Sequence, residues 1–175
     1  IVFGDWSSDV CSSDLTFSVR ILGGSRESAR GMARECFEQL DYLEHRLSRY
    51  IDGSDVSLIN RMQAGETLYL SEPCHECLRL ALEAHARSGG LFDITLGRRI
   101  EHFKSRLAGP PPPIEGWLTL HPDAPAISCA APGREIDLGG IGKGFALDQL
   151  RATLVDWGAA GGLLTAGAST LLAFG

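Results

Sequence analysis

The stretch Asp137-Leu138-Gly139-Gly140-Ile141-Gly142-Lys143-Gly144-Phe145-Ala146-Leu147-Asp148 joins a strand-like run, Arg134 to Leu138, to a helical pattern through a glycine-rich turn. The pattern from about Lys143 to Trp157 reads as a helix, and Gly158 closes it. Glycines let backbone N–H groups approach a phosphate, a helix N-terminus adds partial positive charge, and Lys143 adds a full one. Two readings fit these residues equally: an anion site, or a glycine-rich turn with a solvated lysine. A Walker loop is excluded, because Asp137 and Gly144 stand where that pattern needs a glycine and a hydroxyl. A dinucleotide fingerprint is excluded as well, because position 145 is Phe where the third glycine belongs.

Downstream of that helix, Gly162 to Thr165 and Thr170 to Phe174 read as two strands around a small-residue turn. Upstream, Trp117 to Leu120 and Ala126 to Cys129 also read as strands, after a stiff surface connector, Gly109-Pro110-Pro111-Pro112-Pro113. Thr16 to Leu22 alternates as a strand. Beyond Gly23-Gly24, the residues Ala29, Met32, Ala33, Cys36, Phe37, Leu40, Leu43 and Leu47 recur at helical spacing through about Ser48. Ser54 is placed to cap a short helix through about Asn60. After a short strand at Thr67 to Leu70, Ser71 is placed to cap a second helix that Gly89-Gly90 ends. Interleaved strands and helices predict a single α+β domain with a mixed or antiparallel sheet and flanking helices.

The segment Asp5-Trp6-Ser7-Ser8-Asp9-Val10-Cys11-Ser12-Ser13-Asp14-Leu15 has no periodicity, and a common sequencing-library adaptor read in frame spells it. Residues 1–15 are therefore expected to be a non-native scar, with native sequence from about Thr16. Setting aside Asp5, Asp9 and Asp14 from the 22 acidic residues, against 16 basic ones, changes the formal charge from −6 to −3. Such a mildly acidic chain has no basic stripe for nucleic acid and no apolar run long enough to span a bilayer. Cys74-His75-Glu76-Cys77 lacks a second ligand pair at short spacing and lies early in an amphipathic helix, so its thiols are expected in the core rather than on a metal.

Two further segments carry chemistry. In Ser88-Gly89-Gly90-Leu91-Phe92-Asp93-Ile94-Thr95-Leu96-Gly97, a helix stop delivers an aromatic and a carboxylate into a loop. Asp93 there can either accept from a ring or ribose or serve as a turn residue. In Leu47-Ser48-Arg49-Tyr50 with Ser54-Asp55-Val56-Ser57-Leu58-Ile59-Asn60, Tyr50 offers a flat face with a polar tip, suited to ring stacking or to a packing role.

In order and spacing these segments resemble the FAD:protein FMN transferase family, whose patterns are L-S-x-Y-x-x-x-S-x-[IVL]-S-x-[IVL]-N, then G-G-x-F-D-x-T-x-G, then D-L-G-G-I-x-K-G-[YF]-A-x-D. The resemblance runs from about Thr16 to the end of the chain. It implies FAD contacts at Tyr50, at Leu91, Phe92 and Asp93, and at Asp137 and Lys143, with the main-chain carbonyl of Gly140 as one Mg2+ ligand. It also implies a reaction in which a Thr or Ser hydroxyl of an acceptor flavoprotein takes the FMN moiety of FAD and AMP leaves. The alternative is a non-catalytic FAD-binding module or degenerate homologue. No catalytic base is assigned; Asp93, Asp137 and Asp148 are the carboxylates near the motifs. Family likeness further implies a periplasmic or inner-membrane-anchored bacterial protein, with the cytoplasm as the alternative.

The chain departs from the family in two places. A turn that often reads A-G-G-[DN] is here Ala166-Gly167-Ala168-Ser169-Thr170. The family's later Asp and Thr magnesium ligands are expected beyond Gly175, so residues 16–175 are expected to be the N-terminal, C-terminally truncated portion of such a domain.

Overall fold

The computed structural model describes residues 16–175 and the backbone of Asp5–Trp6. Apart from that backbone pair, the segment expected to be a scar lies outside the described residues. The class is α+β with antiparallel strands and flanking helices, as expected; the strands lie in two sheets, and within the chain lie two compact units, Ile1–Glu44 with Gly142–Gly175, and His45–Ile141.

In the first unit, β1 (Asp5–Trp6), β2 (Phe17–Leu22), β6 (Gly161–Ala166) and β7 (Thr170–Phe174) form one sheet in the order β1-β2-β6-β7. β2 and β6 pair from Phe17↔Ala166 to Leu22↔Gly161, and this register turns Val19, Ile21, Leu164 and Ala166 into the core. The helical face read from the sequence is the buried face of α1 (Arg26–Leu47), where Ala29, Met32, Ala33, Cys36, Leu40 and Leu43 are all buried. α5 (Gly142–Asp156) packs on β6 and β7, and its Phe145, Leu147, Leu150 and Leu154 are buried.

In the second unit, β3 (Thr67–Tyr69), β5 (Ala126–Ala131) and β4 (Trp117–Leu120) form a sheet in the order β3-β5-β4. Three helices belong to the same unit: α2 (Asp55–Ile59), α3 (Glu72–Arg87) and α4 (Gly97–Lys104). Ser54 caps α2 as expected, its side chain accepting from the Ser57 N–H at 3.0 Å. Ser71 occupies the N-cap position of α3 but makes no side-chain cap. Its N–H and its hydroxyl both donate to one oxygen of the buried Asp55 carboxylate, whose other oxygen lies 4.0 Å from Arg46 Nη1, so a buried charge takes as donor the hydroxyl that a helix cap would have used as acceptor.

The expected strand at Arg134 to Leu138 is not one. It makes a single parallel bridge, Leu96↔Glu135, and its other backbone groups bond elsewhere. Ile136 N–H donates to Asn60 Oδ1 at 2.7 Å, Asn60 Nδ2 donates to Ile136 O at 3.0 Å, and Asp137 N–H donates to Ile94 O at 2.8 Å. A side-chain amide and a loop carbonyl thus complete backbone bonding that a neighbouring strand would otherwise have supplied. The helix α4 was not anticipated from the sequence.

Candidate functional site

Glu135 and Asp137 flank the segment that Asn60 clamps, and one guanidinium holds both. Arg49 Nη2 donates to Glu135 Oε2 at 2.9 Å, and Arg49 Nη1 donates to Asp137 Oδ2 at 3.1 Å. The Arg49 side chain is 13% exposed and that of Asp137 7%, so the pair is only weakly screened by solvent. Asp137 Oδ1 accepts from the Gly139 N–H at 2.7 Å, and Lys104 Nζ stands 3.9 Å from Oδ2. The carboxylate is thereby fixed at the start of the glycine turn, which closes with Ile141 N–H donating to Leu138 O and leads into α5. Gly97 makes room for the clamp: an ideal Cβ there would lie 2.8 Å from Arg49 Nη1 and 2.8 Å from Glu135 O.

Two aromatic rings belong to the same neighbourhood. The Arg49 guanidinium carbon is 5.6 Å from the centroid of the Tyr50 ring, which is 51% exposed and so presents a free edge to solvent. Phe92 is half-buried, and its Cε2 would lie 3.0 Å from a Cβ at Gly140, so the ring passes close over that glycine. Phe92 is itself anchored by the end of α3. Its N–H donates to Ser88 Oγ at 3.0 Å, and its carbonyl accepts from His85 Nδ1 at 2.7 Å.

Of the residues singled out from sequence, Tyr50, Phe92, Asp137 and Gly140 are brought together by these contacts. Leu91 is 92% exposed and touches none of them through a polar contact. Asp93 closes a local turn, Oδ1 accepting from Thr95 N–H and Thr95 Oγ1, while Oδ2 lies 3.9 Å from Arg134. Lys143 belongs to the other compact unit, where its Nζ donates to Ser169 Oγ at 3.2 Å. Arg49, Asn60, Lys104 and Glu135 were not singled out. Arg49 and Asn60 stood inside a quoted motif, but nothing in their own neighbourhood shows that they reach Asp137 and Ile136.

The fit to magnesium is poor on these residues alone. Among the described residues no cluster of three His, Cys, Asp or Glu side chains could hold a metal ion. Asp137 and Asp93 already accept protein donors, and together with a main-chain carbonyl at Gly140 they do not make the set of several converging oxygens that magnesium prefers. Cys74 and Cys77 are fully buried, and burial, with Glu76 second, pushes the Cys77 thiol up to about 12, so they are inert core thiols.

A sequence profile of the ApbE family matches residues 13–175. The chain is 28% identical over 170 residues to a FAD:protein FMN transferase of Chlamydia pneumoniae, covering 82% of this chain and 53% of the relative. The flavinyl transferase ApbE of Pseudomonas stutzeri, in its apo form, superposes with a TM-score of 0.77 at 22% identity, covering 99% of this chain and 59% of the other. An ApbE protein of Thermotoga maritima superposes with a TM-score of 0.75 at 21% identity, covering 95% and 57%. The chain thus spans between half and three-fifths of the length of these relatives.

Proposed function

The chain belongs to the ApbE family, and on that premise we propose that the protein carrying it is a flavin transferase that moves the FMN half of FAD onto a hydroxyl of an acceptor protein. An acceptor Thr or Ser oxygen attacks the FMN-side phosphorus of FAD. The bond from that phosphorus to the oxygen bridging to AMP breaks, AMP leaves with the bridging oxygen, and the hydroxyl proton passes to a base that none of these residues is assigned to be. Such chemistry is positioning and charge placement more than covalent catalysis.

The observation that carries the reading is the Arg49 clamp on Asp137. It rigidifies the entry to a glycine turn beside one half-buried and one exposed ring, a setting suited to a flavin nucleotide. Tyr50 and Phe92 supply flat faces for a ring, and Asp137 keeps lone pairs for a ribose or ring donor. Lys143 supplies a positive charge for the pyrophosphate. The transfer is proposed to depend on magnesium, which titration of the metal in the flavinylation assay tests.

The turn Ala166-Gly167-Ala168-Ser169-Thr170 favours a second reading, a FAD-binding module without transfer, because Ala168 and Ser169 depart from the family pattern and Ser169 already occupies Lys143. Incubating the protein with FAD, magnesium and an acceptor protein separates the two. AMP release with flavin covalently on the acceptor establishes the transferase, bound FAD without AMP establishes the module, and no bound flavin removes both. No helix among the described residues is long and apolar enough to cross a membrane. Residence in the periplasm, free or anchored, is proposed from family likeness, with the cytoplasm as the alternative that cell fractionation would reveal.

A further inference from the structure

We propose that α4 and the loop after it form a docking surface for an acidic segment of a partner protein. This rests on the transferase reading in one respect: it makes that partner the flavin acceptor.

The charge distribution is the first support. The chain is acidic, with 22 Asp and Glu against 16 Lys and Arg, yet Arg98, Arg99, His102, Lys104 and Arg106 follow one another along α4 and its exit, with Glu101 the one acid among them. Several arginines elsewhere are paired, Arg34 with Glu38, Arg61 with Asp52 and Arg79 with Glu76, and nowhere else do so many basic side chains follow one another in so short a stretch. No ion pair among the described residues engages Arg98, Arg99 or Arg106, and Glu101 accepts from Ser105 Oγ instead. The Nε of Arg99 is buried without a hydrogen-bond partner among the described residues. Guanidiniums left without carboxylates in an acidic protein are matched by carboxylates from outside, and at a Debye length of about 8 Å this local excess outweighs distant negative charge.

The shape is the second support. Arg98, Arg99 and Arg134 line a shallow pocket together with Ile114 and a single carboxylate, Glu115. At the other end of the helix Phe103 is 65% exposed, and Leu107 beyond it 58%. Cationic groups around apolar anchors fit a protein segment that alternates acidic and apolar side chains. An anionic membrane surface calls for a helix with a continuous apolar face, whereas Phe103 is the one large hydrophobic that α4 exposes.

Position is the third support. Lys104 of α4 reaches within 3.9 Å of Asp137, and the Gly97 N–H donates to Glu135 O at 2.8 Å, so the surface borders the clamp within the same compact unit.

The test measures binding by fluorescence anisotropy. The probe is a labelled peptide of Asp and Glu interspersed with Leu and Phe, and the control is its Lys counterpart. The variant is Arg98→Glu with Arg106→Gln; both side chains are exposed and neither touches Asp137. Supporting results are binding of the acidic peptide that falls with salt, none of the Lys peptide, and a loss of about fivefold or more in the variant at unchanged melting temperature. The proposal is overturned by equal binding of the Lys peptide, by no binding, by an unaffected variant, or by tighter binding of phosphatidylglycerol vesicles or duplex DNA than of the acidic peptide. FAD binding is measured alongside. Peptide binding without FAD binding removes the transferase reading and leaves the acidic-partner surface standing, while FAD binding without peptide binding does the reverse.

Discussion

Arg49 and Asp137 meet across 88 positions of sequence, Nη1 donating to Oδ2 at 3.1 Å, and the same guanidinium reaches Glu135. Removing the arginine would strand a carboxylate that is 7% exposed. Full burial would put the loss at about 3–5 kcal/mol. Lys104 stands close enough to Asp137 to offset part of it, so Arg49→Ala is expected to cost about 2–3 kcal/mol. Arg49→Lys keeps the charge but not the fork that serves two carboxylates, and should cost less. Urea unfolding decides this, and both variants within about 0.5 kcal/mol of the parent would show that the clamp contributes nothing to stability.

Gly97 tests the same clamp from its other side. Alanine there would set a methyl 2.8 Å from both Arg49 Nη1 and Glu135 O, and the backbone has little room to retreat because the Gly97 N–H is bonded to that same carbonyl. The expected cost is about 1–3 kcal/mol. Gly144→Ala is the control. A Cβ there meets nothing within 4 Å and the residue lies inside α5, so this change should stabilise by about 0.5–1 kcal/mol. Equal effects of the two substitutions would contradict the packing described around Gly97.

The sequence made legible whatever depends on near neighbours. The α1 face repeats at helical spacing, Ser54 caps α2 within its own turn, and the β6–β7 hairpin is bounded by small residues. What escaped depends on partners far along the chain. Residues Arg134 to Leu138 carry an apolar pattern that fits a strand, but Asn60, 76 positions away, takes up Ile136 before a strand can. α4 is short and has a polar, arginine-rich start, so its periodicity has too few apolar positions to register. In the candidate site, Tyr50, Phe92 and Asp137 were visible as motif residues. The cation that links Tyr50 to Asp137 was not, because an arginine in a motif looks the same whether it faces solvent or two carboxylates.

Lys143 bears on the flavin directly. If its ammonium faces the pyrophosphate when FAD is bound, Lys143→Ala should weaken FAD by about 1.5–3 kcal/mol, the worth of a hydrogen bond to a charged group, or roughly ten- to a hundredfold in Kd. Ser169→Ala should move the affinity far less, since it removes only an exposed contact at 3.2 Å. A fluorescence titration in which Lys143→Ala binds FAD as the parent does would return this lysine to a surface role.

Residues 1–15 are proposed to be dispensable. Their described contribution is the backbone pairing of Asp5 and Trp6 with Ser18 and Phe17 at the edge of the first sheet. Deleting them should change stability by no more than about 0.5 kcal/mol, as for surface substitutions. A clear fall in melting temperature on deletion would identify the segment as a native element.

Cys36, Cys74, Cys77 and Cys129 are free and buried. Burial, with a smaller push from Glu35, raises the Cys36 thiol to about 12, and burial, with Glu76 second, does the same for Cys77. Cys74 is raised too, by burial first and then by Asp55 and Cys77. A Cys11→Ser variant should therefore resist Ellman's reagent in the native state and react at once in urea, because the thiolate is the nucleophile. The same shifts set a direction for stability. The unfolded thiols titrate near 9.0 and the folded ones higher, so the unfolded chain releases protons first as pH rises. The stabilisation is full below about pH 9 and is eroded as pH climbs toward about 12. The measurement compares urea unfolding of the parent with that of a Cys36→Ala, Cys74→Ala, Cys77→Ala variant, so that only the contribution of these thiols is read. The variant should be less stable at neutral pH, having lost buried volume, but should lose less stability between about pH 9 and 11. Parallel losses in the two proteins over that range would mean that these thiols ionise in the folded state as readily as in the unfolded one.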